Sequence, residues 1–334
     1  MQIRQQLEQI EEKNLSKHAA LAKNSAGRAR PEPDCLVRTC FQRDVDRIIH
    51  SKAFRRLNQK TQVFISPNGD HYRTRLTHTL EVTQIAKTIA RGLFLNLDLT
   101  EAVALGHDLG HTPFGHVGEN VLDRLCESGY EHNRQSLRVV EVLENSGAGL
   151  NLTAEVKNGI LCHTGNQKAD TLEGRIVHYA DRIAYVNHDI DDAIRGRVLL
   201  EEQIPADIVA ILGATKRERI NNLVVDIIQN SGTDIGFSQV VGQALLDLRR
   251  FMFEHVYQNK KALPDLDKAA HVVEQLYKFY IKNPEQMPQD YSKYLKTDGL
   301  ERTVCDFVSG MTDRYAIIKF EELFVPRGSV PQMG

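Results

Sequence analysis

The chain has 334 residues, of which 41% are hydrophobic and 26% charged, and its formal net charge is −2. This composition is typical of a soluble globular protein with one large domain or two, and the near-neutral charge gives no support for a broad nucleic-acid surface, so any cationic site is local. No apolar run approaches the ~18–20 residues that cross a bilayer, and five cysteines without a CxxC pair exclude a zinc finger and favour reduced thiols in a cytoplasm.

The first elements are a polar arm, a helix and a short hairpin. Residues 1–30 form the arm, which has no signal-peptide core and ends at NSAGRARPEPD. The following VDRIIHSKAFRRL has apolar residues at helical spacing. In TQVFISPNGDHYRTR, two β-prone runs flank Pro67-Asn68-Gly69-Asp70, which predicts one small β-hairpin.

Helical patterns dominate the rest of the chain. One helix covers LTHTLEVTQIAKTIARGLF, and the next begins at Thr100-Glu101 and carries His107. A third helix, EGRIVHYADRIAYVNHDIDDAI, places Asp181, Tyr185 and Asp189 one turn apart on one face. From about residue 197 the chain is again helical up to a frayed tail, so we predict an all-α fold.

A cluster of histidines marks the region where chemistry is expected. Nine of the thirteen histidines lie between residues 71 and 188. His107 and Asp108 are adjacent in EAVALGHDLGH, with His78 before them and Asp181 after them. Neighbouring helix positions point about 100° apart, so both members of the pair face one ion best at a helix end, which the downstream glycine and proline predict.

These four residues offer two imidazoles and two carboxylates, a set suited to Mg²⁺, Mn²⁺, Fe²⁺ or Zn²⁺. Facing helices of a bundle can gather such ligands. For each residue alone, a hydrogen-bonded core histidine or a solvated aspartate is the simpler interpretation. The four together favour a metal site, with His78, His107, Asp108 and Asp181 as its ligands.

The segment HTPFGHVGEN follows the His-Asp pair. Its proline ends the helix, so His111 and His116 are expected on a turn beside the metal. Glu119 is three residues after His116 and within reach if a helix restarts there. A carboxylate paired with an imidazole makes a proton-transfer histidine, whereas the alternative is a surface ion pair. His132, in GYEHNRQS, is uninformative by itself.

Several cations and one tyrosine accompany these groups. Arg75 lies three residues before His78 and Arg182 follows Asp181 directly, and the guanidinium fork matches phosphate. Tyr185 and Asp189 are placed to stack on a sugar and to bond it, although a half-buried core tyrosine is an equal alternative. Further cationic candidates are Arg56 and Lys60; a helix-surface charge is as plausible for Arg56.

Together these motifs resemble the HD-domain superfamily of metal-dependent phosphohydrolases. The resemblance is close to one branch, the bacterial dGTPase-like deoxynucleoside triphosphate (dNTP) triphosphohydrolases. It extends over about residues 43–325, and its most specific motif is HDLGHTPFGH. The other segments are DRIIHSKAFRRLNQKTQVF, RTRLTHTLEV, YADRIAYVNHDIDD and FVSGMTDRYAIIKFEELF.

The resemblance implies an organisation and a role for each candidate. An HD helical core would span residues 31–196, a helical C-terminal region that completes the pocket and the oligomer contacts would span 197–325, and a tail would span 326–334. His116 and Glu119 would form the catalytic dyad, and His111 and His132 would contact phosphates. Substrate would be bound by Arg75 and Arg182, and by Tyr185 and Asp189 at the sugar and its 3′-hydroxyl. Arg56 and Lys60 are expected to bind it as further cations, on the sequence pattern alone. Tyr257 stays unassigned because its alignment is loose.

The implied activity is hydrolysis of dGTP, or of dNTPs generally, to a deoxynucleoside and inorganic triphosphate. One divalent ion per subunit, Mg²⁺ or Mn²⁺ with Fe²⁺ also tolerated, would serve as cofactor. A homo-oligomer, tetramer or hexamer, activated by dNTPs is implied as well. Two alternatives stay open: another HD phosphohydrolase, acting on nucleotides or alarmones, and a catalytically weak nucleotide-sensing or nucleic-acid-binding HD protein. No GYP motif of the cyclic-dinucleotide branch occurs.

Overall fold

The computed structural model of the chain describes residues 2–62, 73–257 and 265–326. Over these ranges the regular structure is helical, and the only β-pairing is in two isolated bridges, Arg28–Thr153 and Thr61–Thr74. The all-α prediction is therefore confirmed. The hairpin predicted around residues 67–70 lies outside the described residues. Within the described ranges, none of the helices has the length and apolar character that a membrane crossing requires.

Two of the helices continue into π-helical turns. Val139–Leu143 follows the helix His132–Arg138, and Phe253–Tyr257 follows the helix Gln239–Met252. Apart from the turn Glu144–Gly147, in which Asn145 and Ser146 have positive φ, the described residues form sixteen α-helices. In chain order these are α1 Ile3–Asn14, α2 Cys40–Ile49, α3 Lys52–Arg56, α4 Arg75–Gly92, α5 Leu97–Gly106, α6 His116–Leu125, α7 His132–Arg138, α8 Ala154–Leu161, α9 Leu172–Arg195, α10 Ala206–Leu212, α11 Lys216–Asn230, α12 Gln239–Met252, α13 Leu266–Lys282, α14 Ser292–Thr297, α15 Leu300–Ser309 and α16 Asp313–Phe324.

Two apolar clusters hold these helices. In the larger one α4, α5 and α9 pack against one another, and Val82, Leu99 and Ile183 are fully buried between them. The smaller cluster joins α6 to the C-terminal helices α13, α15 and α16 through residues such as Leu122 and Val273. The helix that begins at His116 therefore packs against the last third of the chain, while the helices that carry the predicted metal ligands pack together.

Helix α5 starts earlier than predicted. It begins at Leu97 rather than at Thr100, because the Asn96 side chain caps it by accepting hydrogen bonds from the N–H groups of Asp98 and Leu99, both at 3.1 Å. The helix ends at Gly106. His107 and Asp108 therefore follow the last turn, where neighbouring side chains are free to face one point.

Gly110 allows the chain after Asp108 to pass directly against α7, the helix that begins with His132. A Cβ at Gly110 would lie 2.2 Å from the backbone nitrogen of Ser136 and 2.5 Å from the carbonyl carbon of Gln135. Backbone atoms cannot yield as a flexible side chain does. We expect Gly110→Ala to reduce the free energy of unfolding by about 1–3 kcal/mol, measured by urea denaturation.

Gly232→Ala is the matched control for this prediction, because a Cβ there would meet no atom within 4 Å. Its expected effect stays within about 0.5 kcal/mol. Equal stability of the two variants would contradict the close packing of Gly110 on α7.

Candidate metal centre and active site

The four predicted metal ligands come together where α4, α5 and α9 meet. His78 Nε2 lies 3.0 Å from Asp181 Oδ1 and 4.0 Å from Asp108 Oδ2. His107 Nε2 lies 3.4 Å from Asp108 Oδ1 and 3.9 Å from Asp181 Oδ1. His78, His107 and Asp108 are buried, whereas 20% of the Asp181 side chain is exposed. The group therefore opens to solvent on the Asp181 side.

The chemistry of these groups fits a divalent ion. His107 Nδ1 donates a hydrogen bond to the carbonyl oxygen of Ala104 at 2.6 Å, so the proton is on Nδ1 and the Nε2 lone pair is free. That Nε2 atom is buried and has no hydrogen-bond partner in the described part of the chain. A neutral imidazole fixed by a carbonyl is the form in which histidine ligates metals, and two neighbouring carboxylates favour a cation between them.

Arg75 joins the metal ligands to the rest of the pocket. It is buried in the first turn of α4, and its guanidinium donates to Asp108 Oδ2 at 2.9 Å. Burial opposes ionisation of Asp108, but its electrostatic interactions with His107, His111 and Arg75 hold its pKa well below the usual value. Arg75 is thus a fixed cation beside the centre.

The predicted dyad is in hydrogen-bond contact at the start of α6. His116 Nδ1 donates to Glu119 Oε2 at 3.1 Å, while 68% of the His116 side chain is exposed. The other oxygen of Glu119 accepts from the backbone N–H and from Nδ1 of His132, at 2.9 and 2.8 Å. Burial would raise the pKa of Glu119, but the hydrogen bonds from His116 and His132 lower it below its ordinary value. The pair leaves His116 Nε2 free of Glu119, and the His116 ring lies 5.7 Å from that of His111.

Two further histidines lie between the dyad and the ligands. His111 Nδ1 is 2.9 Å from Asp108 Oδ1, and its ring lies 4.0 Å from the His132 ring. His163 was not predicted from the sequence. It is buried with its ring 5.0 Å from that of His107, and its Nε2 is 3.1 Å from His132 Nε2. The sequence signal that pointed to His163 is its position in the histidine-rich stretch between residues 71 and 188.

The predicted sugar side lies one and two turns along α9 from Asp181. Asp189 is buried, and its Oδ2 accepts a hydrogen bond from Tyr257, the tyrosine left unassigned in the sequence. Its Oδ1 has no partner among the described residues, and burial raises the pKa of Asp189 to about 6. Tyr185 and Tyr257 line a cavity of about 300 Å³ together with Leu246, Arg249, Arg250 and Phe253.

The predicted cations lie in different places. Arg182 is close to Arg249, which stacks 5.7 Å from the Tyr185 ring centroid, and burial together with the Arg249 charge lowers the pKa of Arg182. Neither arginine forms an ion pair within residues 2–62, 73–257 and 265–326. Two neighbouring guanidiniums without an ion pair in these ranges favour an anionic ligand, and Arg249 lines the same cavity as Tyr185 and Tyr257.

Lys60 and Arg56 lie behind the His-Asp turn. Lys60 is buried and donates to the carbonyl oxygens of His111 and Ser309, and burial, with the charge of Arg56, lowers its pKa to about 7. Arg56 lines a separate cavity with Lys60, Gly110 and Tyr291, and none of the four predicted ligands borders it. The structure therefore does not bring Arg56 to the metal ligands, and the Lys60 ammonium is bonded to main-chain carbonyls.

Comparison with known proteins agrees with this architecture. Residues 75–186 match the HD domain family model, and residues 235–322 match the model of the phosphohydrolase-associated domain. A phosphohydrolase from Bacteroides thetaiotaomicron has a similar solved structure, with a TM-score of 0.54 at 16% identity, over 89% of this chain and 71% of that one. At this identity the likeness shows the fold alone.

Two relatives are similar over nearly their whole length, and both are named deoxyguanosinetriphosphate triphosphohydrolase-like protein. The one from Caldanaerobacter subterraneus subsp. tengcongensis is 57% identical over 98% of this chain and 97% of its own. The one from Clostridium perfringens strain SM101 is 47% identical over 98% and 99%. The chain therefore belongs to the dGTP triphosphohydrolase-like family of HD-domain phosphohydrolases.

Proposed function

We propose that the protein hydrolyses dNTPs to a deoxynucleoside and inorganic triphosphate, with one divalent ion per subunit held by His78, His107, Asp108 and Asp181. The observation that carries the proposal is the order of groups around the His-Asp cluster. The His-Asp cluster lies between a region of cations and histidines and an aspartate–tyrosine pair. This order matches the order of groups along a dNTP, in which the reacting phosphorus lies between the rest of the triphosphate and the sugar.

The phosphate side is built from fixed donors. Arg75 is oriented by Asp108 and also donates to the carbonyl oxygen of Gln62 at 3.5 Å, whereas its buried Nε has no hydrogen-bond partner among the described residues and is left for an anion. The rings of His111 and His132 lie 4.0 Å apart beside Asp108, and Arg182 adds charge near the Asp181 side. Donors placed before the reaction stabilise the charge that develops on the phosphate oxygens. A divalent ion, when bound, supplies Lewis acidity at a phosphate oxygen.

His116 is the group proposed to move the proton. In the reaction, a water oxygen bonds to the α-phosphorus and the bond from that phosphorus to the 5′-oxygen breaks, with one proton passing from the water to the deoxynucleoside. Glu119 fixes the His116 proton on Nδ1, so Nε2 is the basic atom. Its exposure gives it access to the attacking water or the 5′-oxygen.

The sugar side supports a deoxyribose. Asp189 Oδ1 is buried without a partner in the described ranges, which is costly unless a ligand hydroxyl bonds to it, and the 3′-hydroxyl is such a donor. Tyr185, one turn before Asp189, is proposed to pack under the sugar and to occupy the space of a 2′-hydroxyl. Arg56 has no assigned contact in this scheme.

The family also supports proposals about assembly and location. A homo-oligomer, either a tetramer or a hexamer, activation by a dNTP and a cytoplasmic location are proposed on that ground. Mg²⁺, Mn²⁺ and Fe²⁺ all suit the ligand set.

Product analysis tests the proposed reaction. Purified protein with each dNTP and Mg²⁺ or Mn²⁺ is expected to release deoxynucleoside and inorganic triphosphate in equal amounts, measured by ³¹P NMR and chromatography, and ribonucleotides are expected to react more slowly. A chelator provides the control and should stop release. Products limited to pyrophosphate or orthophosphate, or turnover of a cyclic dinucleotide or an alarmone in place of dNTPs, would contradict the proposal.

A further inference from the structure

His163 is a buried histidine with no role in the scheme above. It follows α8, and 1% of its surface is exposed. Its Nδ1 lies 2.7 Å from the carbonyl oxygen of Ile160, which can only accept a hydrogen bond, so the proton is on Nδ1. The neutral ring therefore presents a lone pair at Nε2, and burial lowers the pKa of His163 to about 3, in line with a neutral ring.

The Nε2 lone pair of His163 faces His132. The two Nε2 atoms are 3.1 Å apart, and because His163 accepts there, His132 donates its Nε2–H. On the other side of the ring, His132 Nδ1 donates a hydrogen bond to Glu119 Oε1 at 2.8 Å. His132 is therefore held at both ends, between the dyad carboxylate and His163.

We propose that His163 is a positioning residue for His132. It holds the His132 ring in place, and a phosphate oxygen of the substrate shares the Nε2–H of His132 with His163 when it binds. An anionic oxygen is a strong acceptor for this N–H, since hydrogen bonds to ionised groups are roughly twice as strong as neutral ones. The identity of the anion rests on the proposed function; the positioning of His132 does not.

The hydrogen bonds of His163 distinguish positioning of His132 from simple packing. The Nδ1 bond to Ile160 uses one edge of the ring, and the hydrogen bond that Nε2 makes within the described residues goes to the other histidine. The carbonyl oxygen of His163 is bonded separately, by Nδ1 of His178 at 2.8 Å. An aromatic ring without nitrogen atoms would fill the site and release His132, and it would also leave the Ile160 carbonyl without its donor.

Two variants test the proposal. His163→Phe keeps an aromatic ring and removes the acceptor. We expect KM for the dNTP to rise about 10-fold, as for loss of an outer hydrogen-bond partner. We expect kcat to be unchanged, because binding rather than the reacting step is affected. His163→Gln restores an acceptor near the Nε2 position and is expected to return KM close to that of the wild type.

A readout without turnover keeps this test independent of the proposed function. Calorimetric titration with inorganic tripolyphosphate is expected to show about 10-fold weaker binding to His163→Phe than to the wild type or to His163→Gln. A crystal structure of the wild type with tripolyphosphate should show a phosphate oxygen within hydrogen-bond distance of His132 Nε2.

The outcomes are separable. If the wild type hydrolyses no dNTP, the proposed function fails, while the titration and the crystal structure still decide the role of His163. Tripolyphosphate binding of wild-type strength by His163→Phe would overturn the proposal, and so would an oxyanion bound away from His132. If the Phe variant does not fold, the Gln variant and the wild-type complex decide: a Gln variant that binds tripolyphosphate 10-fold more weakly contradicts the role.

Discussion

Asp181→Ala is expected to remove the bound divalent ion and to lower kcat by about 10³-fold or more, because an ion contributes several kcal/mol to stabilising charge on a phosphoryl oxygen. Asp181 approaches both imidazoles, with Oδ1 3.0 Å from His78 Nε2 and 3.9 Å from His107 Nε2. It is also the ligand on the solvent side of the centre. Elemental analysis of the purified variant and steady-state kinetics with dGTP measure the two effects.

Asp191→Ala is the matched control on the same helix. Asp191 pairs with Lys216 at 3.2 Å and with Arg73 at 3.7 Å, and 27% of its side chain is exposed. Such partly exposed pairs contribute little to stability, so metal content and kcat should match the wild type. An Asp181→Ala protein with a full complement of metal would contradict the ligand set.

His116→Ala is expected to lower kcat by about 10²–10⁴-fold, the usual contribution of a positioned acid or base, while the metal content stays unchanged. His116 touches Glu119 rather than the four metal ligands, and its side chain is mostly exposed. Its loss should therefore remove proton transfer without disturbing the centre. Single-turnover kinetics and elemental analysis distinguish the two effects.

His271→Ala serves as the control for this variant, since His271 lies on α13 with its ring against Phe320 in the C-terminal cluster. It should leave kcat unchanged. Wild-type turnover by His116→Ala, or loss of metal together with activity, would argue against proton transfer by this residue.

Much of the site follows from helical periodicity. The i, i+3 spacing of His116 and Glu119 predicts a contact once a helix restarts, and the end of α5 lets both His107 and Asp108 turn toward α4 and α9. These contacts join residues that are close together in the sequence, so helical spacing alone predicts the direction of each side chain. The fold class is also predictable from helical spacing, because apolar residues at that spacing dominate the chain.

The contacts that the sequence did not predict join distant segments. Asp189 and Tyr257 are 68 residues apart, and His132 and His163 are 31 apart, so no periodicity relates them. Arg56 shows the same limit. Helical spacing predicts which residues lie next to Arg56 on α3, but not how the chain turns after that helix. This turn places Arg56 in a separate cavity. Only tertiary packing determines these positions.

Anomalous diffraction from crystals soaked in Mn²⁺ tests the convergence of the four ligands most directly. One peak per subunit is expected between His78, His107, Asp108 and Asp181. Donor atoms also lie close together in two neighbouring groups, Asp108–His111–His132 and His111–His116–Glu119. A peak confined to either group, or no peak beside Asp181, would contradict the account.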